Sequence, residues 1–247
     1  NIEIMKNHFL ILLLIALSIS CFGQDTITHT PTHSQIFGLS PLPKKISNVN
    51  GLVLGLGHVE NRNIKNQTIN GLNLEANPAP IVGALLAFIA VVHLPDIIEN
   101  NARTHDSIIE HNFIIKNWNY TPNLKINGIN LSTGCFFTAT NMDGLNISLG
   151  NKFKNFNGFS IAPLGTISDK INGLSIGIIN ANTNLKGATF SVYNQTYELK
   201  GLQAGIVNQV ENNKGIQLGI FNNSYSRGLQ LGVWNKNCNR SFPLINW

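Results

Sequence analysis

The sequence predicts an all-β array of about 14-residue units, and three observations carry that expectation. The chain repeats itself, most clearly in Gly173–Asn180, Gly201–Asn208, Gly215–Asn222 and Gly228–Asn235. Weaker copies start at Gly51, Gly71, Gly128, Gly144, Gly158 and Gly187, and from Gly144 onward the starts are 13 to 15 residues apart. A fixed period of this kind marks an array and outranks any local motif. Within a unit the apolar residues alternate: Leu229, Leu231 and Val233 against Gly228, Gln230, Gly232 and Trp234. Successive side chains leave a strand on opposite faces, so period two is the signature of a strand. The composition agrees, with 37 asparagines and 22 glycines in 247 residues and only 12% charged. That charged share is about half the usual one for a soluble domain, and Asn and Gly favour turns and positive φ.

The elements follow in order. Residues 1–23 read as a signal peptide with upstream residues: Met5-Lys6-Asn7-His8 is a short positive start, and Phe9 to Ile19 is apolar apart from Ser18. Such a run is too short to span a membrane as a helix. Cleavage after Gly23 is the first choice, with acylation at Cys21 as the rival. Residues 24–50, with Pro31, Pro41 and Pro43, read as a linker, and 51–247 as one β-repeat domain. An insertion at 78–118 breaks the period. Ile81 to Leu94 is mostly apolar between prolines and fits a short buried or interfacial helix, followed by a charged stretch from Asp96 to His111.

Each unit ends in Asn and several polar residues, such as Asn223 to Arg227, which read as a turn. One strand and one turn per unit predict an antiparallel meander of roughly 10–12 strands. The expected closure is an outer-membrane-type β-barrel with the aliphatic face toward lipid and the Gly/Gln/Asn/Ser face inward. In that barrel Phe221 and Trp234 would help fill the lumen, and the aromatic ending Phe242 to Trp247 would serve as an assembly signal. The alternative is a soluble β-array or solenoid that buries the aliphatic face and exposes the polar one.

Candidate chemistry is sparse. His105-Asp106 and Glu110-His111 lie in the insertion, where His93 and Asp96 could add ligands, but a solvated helix face is the preferred account of them. No HExxH or P-loop pattern occurs. The sequence therefore nominates no catalytic, cofactor-binding or metal-binding residues. Cys135 and Cys238 have no zinc-ligand spacing; an exported chain would permit a disulfide between them, and two buried free thiols are the simpler expectation. The net charge of +5 is spread as single lysines, among them Lys186, Lys200, Lys214 and Lys236. Nucleic-acid readers cluster their basic residues on one face, so nucleic acid is not an expected partner.

The units from Gly173 to Trp234, with the ending Pro243-Leu-Ile-Asn-Trp247, resemble the exported surface-repeat proteins of Leptospira and Bacteroidetes, which are built of G-L-Q-φ-G-φ-φ-N repeats (φ, apolar). The resemblance covers most of residues 50–247, and Phe22-Gly23-Gln24 at the end of the leader is similar to Bacteroidetes signal peptides. It implies a non-enzymatic outer-membrane or cell-surface protein with a structural or interaction role. Outer-membrane lipid is then the expected partner, and the resemblance supplies no catalytic residues. The other reading is a periplasmic or secreted array whose Asn/Gln rows bind a glycan or protein.

Overall fold

The computed structural model describes residues 33–58, 66–76, 122–135 and 140–247, with the side chains of 134 and 135 excepted. Every element among them is a strand: β1 (His33–Ser40), β2 (Ile46–Gly55), β3 (Gln67–Glu75), β4 (Leu124–Cys135), β5 (Thr140–Leu185), β6 (Ala188–Leu199), β7 (Leu202–Asn213), β8 (Ile216–Ser224), β9 (Leu229–Lys236) and β10 (Ser241–Asn246). They form one sheet in chain order. β1 lies inside the segment read as a linker, so the array starts earlier than the sequence reading placed it. The signal peptide, Cys21 and the insertion at 78–118 fall outside the described residues.

From β1 to β9 every neighbouring pair is parallel, and equivalent unit positions stack in register: Gly51 on Gly71, Gly71 on Gly128, Gly128 on Gly144. A parallel neighbour one unit further along requires the chain to make a full circuit in each unit. The architecture is therefore a β-solenoid of stacked coils, and the expected antiparallel meander and closed barrel are both corrected. β1 pairs only with β2 and β10 only with β9, so the sheet does not close on itself.

The reason lies in the half-unit read as a turn. In β6 and β7 the strand runs on through Gln195–Leu199 and Gln209–Asn213, which pair with each other coil to coil. Period two is hidden there because buried polar residues, Gln195, Thr196, Gln209 and Asn213, stand among the buried apolar ones, Leu199 and Val210. The pairing also skips one residue per coil at Val192, Ile206, Ile220 and Val233, and in β6 and β7 again at Tyr197 and Glu211. These skipped residues mark where the coil bends. β5, at 46 residues, contains the unit starts Gly144, Gly158 and Gly173, each seated on the one before.

The bend at the unit start depends on glycine. Gly144 has φ +134°, a conformation L side chains rarely adopt. At Gly201 a Cβ would meet the Gly187 carbonyl oxygen at 1.9 Å, so the stacking distance alone excludes a side chain.

Two kinds of column fill the interior. Two residues before eight of the ten unit glycines stands a fully buried apolar residue, giving the column Val49, Ile69, Ile126, Met142, Phe156, Ile171, Leu185 and Leu199; before Gly215 and Gly228 the position holds Asn213 and Ser226. Phe153 stacks on Phe156 with ring centroids 5.0 Å apart. Burying such side chains is worth about 1.5–3 kcal/mol each.

The second kind of column is polar and amide-linked. Asn73 donates to Asn130 and Asn130 to Asn146, both at 2.7 Å, and Asn146 continues to Ser160 at 3.0 Å. Asn194, Asn208, Asn222 and Asn235 form a second run at 2.7–2.8 Å. Gln230 donates to Gln217 at 2.8 Å and accepts from Asn246 at 3.0 Å. An amide donates and accepts along one line, so identical amides at the coil spacing satisfy one another. A run of this kind leaves its first acceptor unmatched: Asn73 Oδ1, above the Val53 coil, and Asn194 Oδ1, each at the start of its run, are buried without a donor.

β10 departs from the coil pattern by pairing antiparallel with β9. Arg240 holds it down: its guanidinium lies 4.0 Å from the centroid of the Trp247 ring, and Nε donates to Asn246 Oδ1 at 2.8 Å. The aromatic ending thus caps the last coil.

Candidate interaction face

The second and fourth residues of every unit point away from the interior. From Leu52 and Leu54 through to Leu229 and Leu231 each of these positions is apolar, and they stack into two continuous rows. A third row runs along the bend through Ile178, Val192, Ile206, Ile220 and Val233. Large members stand open: Ile147 and Phe190 are each 42% exposed, Leu218 is 47% and Val233 63%. Ile245 of β10 lies beside Leu231 and extends its row. At a strand spacing of roughly 4.8 Å, ten coils make a face about 43 Å long.

The aliphatic rows thus face outward, as the barrel reading expected, but from a solenoid whose interior holds Gln203, Gln217 and Gln230 at 0% exposure. The solenoid expected from the sequence buried the aliphatic rows and exposed the amides; this one does the reverse. Buried aliphatic rows would leave the amide columns to bond with water, whereas inside the coils they bond to one another. Phe221 and Trp234, expected on the inner face, are exposed at 38% and 48%. The skipped residues Ile220 and Val233 explain this, because alternation loses phase at a bend.

One edge of the face is basic over its last coils. Lys186, Lys200, Lys214 and Arg227 stand directly before the unit glycines, exposed and two residues from the first apolar row. Glu198 bonds both Lys200 Nζ and Lys214 Nζ at 2.9 Å. The hydrogen bonds from Lys200 and Lys214 hold its carboxyl below the usual range. Further down the array, Lys125 pairs with Asp143 at 3.0 Å. Partial burial of Asp143 opposes its charge, but hydrogen bonds from Asn157 and Lys125 outweigh that and lower its pKa.

A buried polar cluster sits where β3 ends. His58 Nε2 lies 2.9 Å from Glu75 Oε1, with both side chains almost fully buried, and Ser40 Oγ donates to the same oxygen at 3.5 Å. Hydroxyl and imidazole both converge on the carboxylate, so the imidazole is not placed to take the serine proton as a nucleophile–base pair requires. Tyr193, whose phenol is pushed upward by burial, donates to Gln209 Oε1 at 2.7 Å.

The insertion residues His93, Asp96, His105, Asp106, Glu110 and His111 lie outside the described residues. Among the described residues no three His, Cys, Asp or Glu side chains gather as a metal site. Cys238 carries a free thiol and is exposed, not buried as the sequence reading expected. The inner apolar column escaped the sequence reading, although an apolar residue recurs two positions before the unit glycines from Gly51 to Gly201. Comparison with protein-family models, with curated proteins and with solved structures found no match.

Proposed function

We propose that the chain is a non-enzymatic protein of the outer membrane or cell surface, exported by its leader, whose role is to hold a partner on the outer aliphatic face. One observation carries this reading: two unbroken rows of apolar residues, with no charge in either, face outward along the whole array. Contiguous exposed apolar patches beyond a few hundred Å² mark interaction sites, and a solenoid presents its repeats as one extended surface. Outer-membrane lipid is the partner this face suits.

The test is fractionation of cells expressing the full chain, combined with protease access to intact cells. The expected result is envelope recovery with surface cleavage, and loss of envelope retention in Leu218→Thr/Ile220→Thr. Threonine is a strong strand former, so unchanged far-ultraviolet circular dichroism would show that the variant folds. Recovery of the unmodified protein in the soluble fraction would overturn the reading.

A further inference from the structure

We infer that the partner of the aliphatic face is an anionic phospholipid bilayer, with the apolar rows against the acyl boundary and the basic edge against the phosphates. This rests on the reading of that face as the working surface, and it adds the chemistry of the occupant. The argument is charge complementarity. Lys186, Lys200, Lys214 and Arg227 form a column of four basic residues beside the first apolar row, and Glu198 pairs with two of them, Lys200 and Lys214. Along the same coils the opposite edge offers Phe221, Trp234 and Lys236, none of them a carboxylate, while Gln195 and Gln209 are buried. A second copy laid on this face with its coils in the same order would bring no anion to the basic column, and in the reverse order its edge brings Asp143, already paired with Lys125, whereas an anionic headgroup layer brings an anion to every coil.

The aromatic content points the same way. Phe221 and Trp234 are exposed on the last coils, at the end of the array where the basic column lies. Aromatic rings favour the level of the headgroups. An apolar surface flanked by lysine and arginine is the arrangement by which peripheral elements lie in a bilayer interface without spanning it. The width of the face matches this mode: its rows span four residues, or roughly 13 Å, less than half of a hydrocarbon core about 30 Å thick.

The full chain would be mixed with vesicles of phosphatidylglycerol and phosphatidylcholine, and with vesicles of phosphatidylcholine alone, and bound protein measured by sedimentation. The expected result is at least about tenfold tighter binding to the anionic vesicles, with that advantage lost at high salt. Lys186→Gln/Lys214→Gln should weaken anionic binding by about 25-fold, at roughly 5-fold per lysine. Leu218→Thr/Ile220→Thr should weaken binding to both vesicle types. Equal affinity for the two vesicle types would overturn the proposal. So would absence of vesicle binding with a concentration-dependent dimer that Leu218→Thr/Ile220→Thr dissociates. That last result would make a second copy the occupant and leave the face itself as the working surface.

Discussion

The amide columns tie single residues to the stability of the array. Asn130 sits in the middle of one run, donating to Asn146 and accepting from Asn73. Asn130→Val would leave Asn73 Nδ2 and Asn146 Oδ1 buried without partners. Each such group costs about 1–3 kcal/mol, and chemical denaturation should show a loss of that order for each. Ser160, which ends the run, accepts from Asn146 and Asn151. Ser160→Ala removes a hydroxyl at the end of the run without cutting it, so it should cost less than Asn130→Val. Equal losses for the two would show that the column does not act as a linked series. The asparagine excess was plain in the sequence, but it read as turns. An amide suits a turn and a buried ladder equally, and only its neighbours in adjacent coils decide between them.

At the scale of elements, the ion pairs couple neighbouring coils and the last strand closes the stack. Asp143 and Glu198 both have lowered pKa values in the fold. Their stabilising contribution is therefore complete above the ordinary carboxylate range and is lost as pH falls through the folded values. Melting temperature should stay level from neutral pH to about pH 5 and fall below about pH 4. Both pairs are partly exposed, so the change should be small and should shrink with salt. A fall in melting temperature between pH 7 and pH 5 would contradict this assignment.

Arg240→Ala removes the contact with Trp247 and the bond to Asn246. A cation–π contact is worth about 0.5–1 kcal/mol when exposed, so hydrogen exchange should quicken in β9 and β10 while β5 to β7 keep their protection. Uniform loss of protection would show that β10 is more than a cap. The existence of strands in the last four units was legible from their alternation. Their continuation through Gln209–Asn213 was not, because the buried amides of Gln209 and Asn213 flank the single buried apolar residue Val210 and blur the contrast on which periodicity depends.

At the scale of the whole molecule, stability runs along one axis. Each coil touches the coil before and after it, so the array should behave as repeats joined by nearest-neighbour interfaces. Gly201→Ala places a methyl group against the Gly187 carbonyl in the middle of the stack. Forced overpacking costs about 1–3 kcal/mol. The loss should appear first as weakened cooperativity, with the coils on either side of the substitution melting apart. The same substitution tolerated with an unchanged single transition would mean that the glycine column is not a stacking constraint.

The period and the strand halves of the clearest units were determined by the sequence alone, because each is written in neighbours two or fourteen residues apart; whether the aliphatic rows face out or in was not, since a barrel and a solenoid that buries them share the same alternation. The inner apolar column was written there as well, in the residue two before the unit glycines from Gly51 to Gly201. Parallel against antiparallel pairing was decided only by the tertiary structure. A 14-residue unit that turns through a full circle and one that reverses in a hairpin share the same alternation, and they differ in which unit's backbone lies 4.8 Å away. Glycines stacked carbonyl to Cα and amides that can bond only to their own equivalents choose the circle, since a hairpin would set each glycine and each asparagine against a different residue.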